Sequence, residues 1–217
     1  AEDTHLGNRL VAVKEMRQSG MTPQEITEAT KAFQSEAYML AALQHPNLPS
    51  IYEHFYDVGL ERWYLVMTFI EGDTLEDHLG KARSGRLPVK EVLDIGIQLC
   101  TVLGYLHTHR PPIIFRDLKP ANVMLTNTGH LYLIDFGIAR HFKVGQAKDT
   151  IVLGSPGYAA IEQHGKAQTS PRADIYSLGV TLHQLLTGND PSQTPFRFAR
   201  LRQYDQSIPP DLEILIM

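Results

Sequence analysis

Two short polar segments near the middle of the sequence carry the residues best suited to chemistry. Arg116-Asp117-Leu118-Lys119-Pro120-Ala121-Asn122 is followed closely by Asp135-Phe136-Gly137. The side-chain oxygens of Asn122 and Asp135 are hard ligands of the kind that Mg²⁺ prefers. Asp117 lies five residues before Asn122 on the same predicted loop, so its carboxylate could accept or orient the proton of a hydroxyl group.

Two charged residues precede these segments. Lys14 ends the strand-like run Val11-Ala12-Val13, and Glu36 lies in a predicted helix. A facing carboxylate can hold a lysine in place by an ion pair. Alone, Lys14 is equally well explained as an edge-strand lysine and Glu36 as an exposed helix residue. Turn capping is the corresponding alternative for the loop aspartates and asparagine. It does not explain why four signatures occur in this order and spacing, namely Val11 to Lys14, Glu36, Arg116 to Asn122 and Asp135 to Gly137.

The elements that must position these residues change character along the chain. A strand is predicted from Arg9 to Glu15. Thr22, Pro23 and Glu25 form a helix-start signature for a helix that runs to about Leu43. Apolar stretches rich in aromatic and β-branched residues then predict a hairpin with strands at 48–55 and 63–70. The first part is therefore mainly β.

After Gly72 the pattern is mainly helical. Apolar residues repeat at helical spacing from Val89 to Leu106, which predicts a long buried helix. Short strands are predicted at 112–115, 123–125 and 131–134, and a functional loop at 138–168. Another helix begins at Pro171 and ends at Gly188, and the apolar run at 212–217 predicts the start of one more.

The four signatures in this order resemble the motif set of the protein-kinase family, in its bacterial-type serine/threonine branch. The resemblance implies an α+β, two-lobed kinase fold with a small β-rich N-lobe and a larger, mainly helical C-lobe. Residues 1–71 correspond to a partial N-lobe, because no Gly-rich loop precedes Lys14. Residues 72–217 correspond to a partial C-lobe that stops before the last helices of the family.

The resemblance also implies roles for individual residues. Lys14 would hold the α- and β-phosphates of ATP, and Glu36 would hold Lys14. Asn122 and Asp135 would bind Mg²⁺ (or Mn²⁺), with Asp117 as the catalytic base and Lys119 offsetting charge on the γ-phosphate. Met67 falls at the gatekeeper position of the family. Thr68 and Ile70 would bind the adenine through their backbone groups, and Ala12 and Met124 would sandwich its ring, although burial in a core explains these apolar residues equally well.

Three residues are candidates for regulation. Arg116 is of the type that in the family pairs with a phosphate on the activation segment, here residues 135–162. Thr150 is the first candidate for phosphorylation, and Ser155 is expected to contact the catalytic loop. Asp174 matches the residue that supports this loop from below. The sequence departs from the family at Phe115, which stands in place of a histidine, and we expect its ring to pack against Phe136.

The resemblance implies ATP- and Mg-dependent phosphoryl transfer to serine or threonine hydroxyls of protein substrates, with self-association for autophosphorylation. A pseudokinase or interaction module, and a small-molecule kinase, are the alternatives. Retention of Lys14, Asp117, Asn122 and Asp135 argues against the first. Lys119 and the activation-segment resemblance argue against the second.

Composition limits the partners and the compartment. A net charge of −4 gives no general attraction to nucleic acid or to a membrane surface. The single cysteine, Cys100, excludes an intrachain disulfide and fits a cytoplasmic location. No membrane contact is expected from this segment, and the resemblance allows a membrane anchor elsewhere in the full-length protein. His107 and His109 lie at no familiar metal-ligand spacing, so surface or capping roles are expected for them.

Overall fold

The first part of the chain forms a four-stranded antiparallel sheet. A computed structural model describes residues 1–4, 7–16, 20–136, 140–141, 154–164 and 169–217. The strand order is β1-β2-β4-β3, and the bounds are Glu2–Asp3 for β1, Arg9–Glu15 for β2, Ile51–Asp57 for β3 and Arg62–Thr68 for β4. The strand predicted at 9–15 is confirmed. Lys14 pairs with Leu65 and Ala12 with Met67 across the sheet.

The hairpin is also present, but its predicted strand bounds were wrong. Leu48 and Ile70 were placed in strands because they are apolar, and both lie outside them. Both side chains are buried, with exposed fractions of 5% and 8%. They are apolar because they pack beyond the ends of the sheet, and apolarity alone cannot distinguish such packing from strand pairing.

Helix α1 spans Pro23–Ala41 and packs against the sheet. Its predicted start is confirmed, because the Thr22 hydroxyl accepts the Glu25 N–H while the Glu25 carboxylate accepts the Thr22 N–H. This reciprocal capping box fixes where the helix begins. The inner face of α1 buries Phe33 and Ala37 against Leu65 of β4 and forms a small core of its own.

The second part of the chain is mainly helical. Its helices are α2 Leu75–Lys81, α3 Val89–Thr108, α4 Pro171–Thr187 and α5 Pro210–Ile216. The strands β5 Gly72–Thr74, β7 Val123–Thr126 and β8 Leu131–Leu133 form a three-stranded sheet, while β6 Ile113–Ile114 pairs with β9 Arg140–His141. Within the described residues, no helix is both long and apolar enough to cross a membrane.

Helix α3 is the centre of the larger core. Leu99, Leu103 and Leu106 recur on one face with exposed fractions of 0%, 1% and 0%, and this face packs against α4. Gly188 ends α4 in a left-handed conformation with φ of 77°, as the sequence predicts. The arrangement of a β-rich part followed by a helical part is the α+β, two-lobed architecture expected from the sequence.

Candidate active site

Strand β2 and helix α1 bring Lys14 and Glu36 together at the edge of a cleft. Lys14 Nζ lies 2.7 Å from Glu36 Oε1 and 2.9 Å from Oε2. The same ammonium lies 2.8 Å from Asp135 Oδ1, which comes from the residues that follow β8. Because these three residues are distant in sequence, this cluster links the two parts of the molecule.

The ionisation of this cluster reflects burial and charge together. Burial lowers the pKa of Lys14, but the Glu36 and Asp135 carboxylates outweigh this effect, so the pKa lies above its usual value. Burial raises the pKa of the Glu36 carboxyl, and the nearby Lys14 ammonium opposes this rise. Lys14 is therefore held as a cation at the cleft, which is the form needed to bind an anion.

The segment between β6 and β7 holds Asp117, Lys119 and Asn122. A 3₁₀ turn at Pro120–Asn122 directs the Asn122 amide back toward the loop. The Asn122 Nδ2 group donates to the Asp117 carbonyl at 2.8 Å and to Asp117 Oδ2 at 2.9 Å. Lys119 Nζ lies 3.1 Å from Asp117 Oδ2. The Asp117 carboxylate is thus oriented by two neighbours from its own loop.

Ser155 joins this group from a distant part of the chain. Its hydroxyl donates to Asp117 Oδ1 at 2.7 Å and accepts from Lys119 Nζ at 2.6 Å. The segment around Ser155 is anchored on α4, because Ser177 Oγ donates to the Tyr158 carbonyl at 2.8 Å. Burial raises the pKa of Tyr158 well above its usual range, so its phenol stays protonated and donates to Gln184 Oε1 at 2.5 Å.

Asp174 supports the loop from below, as expected. Its buried carboxylate accepts the backbone N–H groups of Phe115 at 2.9 Å and Arg116 at 2.7 Å. His107 Nε2 lies 2.7 Å from Asp174 Oδ2, so the expectation of a surface or capping role for His107 was wrong. The Phe115 ring meets the Phe136 ring edge-on with centroids 5.0 Å apart, which confirms the packing expected for the residue that replaces the family histidine.

A cavity of about 350 Å³ lies beside Lys14. Its walls are mainly apolar, and its three charged residues, Lys14, Glu36 and Asp135, are in contact with one another on one side. The eight residues that the sequence analysis assigned to nucleotide binding all line this cavity: Ala12, Lys14, Glu36, Met67, Thr68, Ile70, Met124 and Asp135. A mainly apolar pocket with a few convergent polar groups on one side suits a flat ring that bears an anionic tail.

Of the regulatory candidates Arg116 and Thr150, the structure describes only Arg116. The Arg116 side chain is buried, with an exposed fraction of 2%, and Nη2 donates to Thr169 Oγ1 at 2.8 Å. Its backbone has φ of 74°, a strained value for a residue other than glycine. Thr150, Gly137 and most of the predicted functional loop at 138–168 lie outside the described residues.

Several residues of the site were not identified from the sequence. Leu40, Pro49 and Ile134 line the cavity, but as isolated apolar residues they resemble ordinary core positions. Gln163 was also missed, and its Nε2 donates to the Arg116 carbonyl at 2.8 Å. No spacing rule connects residues that are 47 positions apart.

The donor groups fit a divalent cation that is shared with a phosphate ligand. Asn122 uses its amide nitrogen for hydrogen bonds, which leaves the amide oxygen directed elsewhere. The Asp135 side chain is half exposed at the cleft. No group of three histidine, cysteine or carboxylate residues is suited to a metal ion within the residues that the structure describes. Asn122 and Asp135 offer two oxygen ligands, and Mg²⁺ that is bound together with phosphates typically takes only one or two carboxylates from the protein.

Comparison with known proteins agrees with this geometry. Residues 4–208 match the protein kinase domain family. The chain is 35% identical over 212 residues to a probable serine/threonine-protein kinase PknB of Lactococcus lactis. This match covers 96% of the chain and 32% of the relative. It is 36% identical over 194 residues to the serine/threonine-protein kinase PrkC of Bacillus subtilis, with 88% and 28% covered.

The chain belongs to the protein kinase family. Similarity extends to plants, since a calmodulin-binding receptor-like cytoplasmic kinase 1 of Arabidopsis thaliana is 34% identical over 186 residues, with 84% of this chain and 38% of the relative covered. The chain spans about a third of the length of these curated relatives. The resemblance to bacterial serine/threonine kinases identified from the motifs is confirmed.

Proposed function

We propose that this chain transfers the γ-phosphoryl group of ATP to serine or threonine hydroxyls of proteins, with Mg²⁺ as the metal. The observation that carries the proposal is that two groups of polar side chains lie on adjacent segments. Lys14, Glu36 and Asp135 meet on one side of the apolar cavity. Asp117, Lys119 and Asn122 form the other group, and the Asn122 carbonyl accepts the N–H of Ile134, the residue before Asp135, at 2.9 Å.

Each side chain has a part that its contacts support. The apolar walls take the adenine ring, and Thr68 and Ile70 offer backbone groups to its edge. Lys14 binds phosphate oxygens as a cation whose position Glu36 fixes. Asn122 and Asp135 would hold the metal, which when bound neutralises negative charge on the phosphates. Little covalent chemistry is required of the protein, because phosphoryl transfer depends mainly on positioning and electrostatics.

The acceptor hydroxyl would approach Asp117. Its carboxylate is held by the Asn122 amide and by Ser155, so one oxygen can be aligned with the incoming hydroxyl and accept its proton. Lys119 lies on the same side at 3.1 Å and supplies positive charge to the group being transferred. The contact between Lys119 and Ser155 ties the transfer site to the segment that would receive the substrate.

Autophosphorylation is included in the proposal because the branch that the chain resembles regulates itself in this way. Thr150 remains the first candidate acceptor, and self-association of two chains would present it. Arg116 is the candidate partner of the resulting phosphate.

The test is transfer of radiolabelled phosphate from ATP in the presence of Mg²⁺ to a panel of protein acceptors. The wild-type chain is compared with Asp117→Asn, which keeps the size and most hydrogen bonds but removes the carboxylate. Asp94→Asn is the matched control, because Asp94 is an exposed carboxylate on α3. Label on serine or threonine that is lost only in Asp117→Asn is expected. If circular dichroism shows that the chain is folded and no acceptor is labelled, the activity is refuted and a pseudokinase is favoured.

A further inference from the structure

The segment that follows α4, residues 191–203, carries a cluster of positive charge. Arg197, Arg200 and Arg202 are all exposed. Within the part of the chain that the structure describes, none of these three side chains forms an ion pair. The whole chain has a net charge of −4, so this basic surface is a local feature and not a reflection of overall composition.

The carboxylates nearest to the segment in sequence accept hydrogen bonds from backbone N–H groups, and among the described residues none of them pairs with the side chain of Arg197, Arg200 or Arg202. Asp190 accepts the Ser192 N–H at 2.9 Å. Asp205 accepts the Ser207 N–H at 2.9 Å and lies 3.5 Å from Arg86. Glu213 accepts the backbone N–H of Arg202 at 2.9 Å, so Arg202 is the arginine with a carboxylate close by. Arg197 and Arg200 are the least compensated charges of the cluster.

Buried contacts hold the backbone of residues 191–203 in place, and we call this segment the platform. Leu201 is fully buried between the two exposed arginines that flank it. His183 of α4 lies 2.8 Å from the Ala199 carbonyl through Nε2, and its ring meets the Phe198 ring with centroids 5.3 Å apart. The arginines are therefore presented from a backbone that is already ordered, which reduces the entropy lost when a partner binds.

The platform adjoins the segment that contacts Asp117 through Ser155. At Gly157, two residues after Ser155, a Cβ atom would lie 2.5 Å from the carbonyl carbon of Pro191, so the two backbones are in direct contact. Phe196 reaches the same region, because its ring lies 5.8 Å from the ring of His164. Phe196 is 46% exposed and offers an apolar contact beside Arg197.

We propose that residues 191–203 dock an acidic stretch of the protein substrate, outside the residues that surround the acceptor hydroxyl. This inference rests on the proposed function, since it names the substrate class of the same site. Guanidinium groups bind carboxylates through paired hydrogen bonds, and Phe196 adds apolar contact beside them. Docking here selects substrates by charge and speeds their encounter with the cleft.

A binding experiment tests the docking without relying on catalysis. Two fluorescent peptides share a serine acceptor, and one carries glutamates where the other carries glutamines. The double variant Arg197→Gln/Arg200→Gln is compared with Lys31→Gln/Arg83→Gln, which removes two exposed charges elsewhere. We expect the dissociation constant of the acidic peptide to rise about fivefold in the first variant, as the loss of two exposed ion pairs allows, and to be unchanged in the second.

Ionic strength and a nucleic-acid probe complete the test. The preference for the acidic peptide should shrink in high salt, because exposed charges are screened. Equal binding of the two peptides, or an equal loss in both double variants, would overturn the proposal. Tighter binding of a single-stranded DNA oligonucleotide than of the acidic peptide, lost with the same arginines, would also overturn it and assign the surface to nucleic acid.

Kinetics separate this inference from the proposed function. With both peptides as acceptors, the KM of the acidic peptide should be lower than that of the neutral one, and this difference should disappear in Arg197→Gln/Arg200→Gln. Transfer to both peptides with equal KM would refute the docking surface and leave the kinase activity standing. Binding that depends on the arginines without any transfer would refute the activity and leave the docking surface standing.

Discussion

The Ser155 hydroxyl lies 2.7 Å from Asp117 Oδ1 although the two residues are 38 positions apart. The same hydroxyl accepts a hydrogen bond from Lys119 Nζ at 2.6 Å. It therefore connects the segment anchored on α4 to the carboxylate and the lysine of the loop at 116–122. Loss of this hydroxyl should alter the orientation of both groups.

Replacement of Ser155 tests this connection. Ser155→Ala removes both hydrogen bonds, and we expect the transfer rate to fall about tenfold, since a lost positioning bond costs about 1–2 kcal/mol. Ser155→Thr keeps the hydroxyl and should keep most of the rate. Ser155→Asp places a negative charge beside Asp117 and should lower the rate further than alanine. Initial rates with a protein acceptor measure all three, and equal rates for Ser155→Ala and wild type would contradict the argument.

The ion pair between Lys14 and Glu36 makes a prediction about ATP affinity. Glu36→Gln preserves the shape of a side chain that is 5% exposed but removes the charge that holds Lys14. We expect the KM for ATP to rise about tenfold, because an ion pair to a buried carboxylate is lost. Glu28→Gln on the exposed side of α1 is the control and should leave the KM unchanged. A similar KM in both variants would mean that Glu36 does not position Lys14.

The raised pKa of Lys14 predicts how stability depends on pH. A lysine whose pKa is higher in the folded state than its ordinary value of 10.5 contributes stability that is fully present below that value. The contribution is lost as the pH rises through the folded-state pKa. As the pH rises, the difference in free energy of unfolding between wild type and Lys14→Met should thus be retained up to about pH 10 and shrink above it. Urea unfolding of both proteins measures this difference. A difference that is already lost when the pH is raised to about 9 would disprove the assignment.

Much of the fold follows from local chemistry in the sequence. Thr22, Pro23 and Glu25 carry the start of α1 because each satisfies or avoids a free backbone N–H group. The end of α4 follows from Gly188, whose positive φ suits glycine. The hairpin bounds could not be obtained in this way. Leu48 and Ile70 are buried by tertiary contacts beyond the sheet, and periodicity does not register such contacts.

The candidate site also contains residues that could be predicted from the sequence and residues that could not. Asp117, Lys119 and Asn122 are close in sequence, so their order and spacing predict that they act together. His107 and Asp174 are 67 positions apart, and only the packing of α3 against α4 brings them together. Ile134 is a comparable case, because its place in the cavity depends on how β8 leaves the sheet and not on its residue type.

Two glycines with opposite surroundings give a matched test of the fold. At Gly188, φ is 77° and a Cβ atom would lie 2.1 Å from the Gly85 carbonyl oxygen. Gly188→Ala should lower the free energy of unfolding by about 2 kcal/mol or more, from strain and displaced backbone. Gly104 is exposed within α3, and nothing lies within 4 Å of its Cβ position. Gly104→Ala should raise stability by about 0.5–1 kcal/mol. Urea unfolding compares them, and effects of the same sign would contradict the prediction.

The contact between His107 and Asp174 predicts a longer-range effect on the loop that holds Asp117. Asp174 has an exposed fraction of 0% and accepts hydrogen bonds from the Phe115 and Arg116 backbone. His107→Ala removes a third partner of this buried carboxylate, which should cost about 1–3 kcal/mol of stability. His109→Ala is the control, since the His109 side chain bonds the Tyr105 carbonyl and meets the Tyr105 ring at the end of α3, away from Asp174. The transfer rate of His107→Ala should fall more than its KM for ATP changes, because Asp174 bonds the backbone just before Asp117 and is not among the residues that line the cavity. If both histidine variants unfold at the same urea concentration, the support of the loop by His107 is refuted.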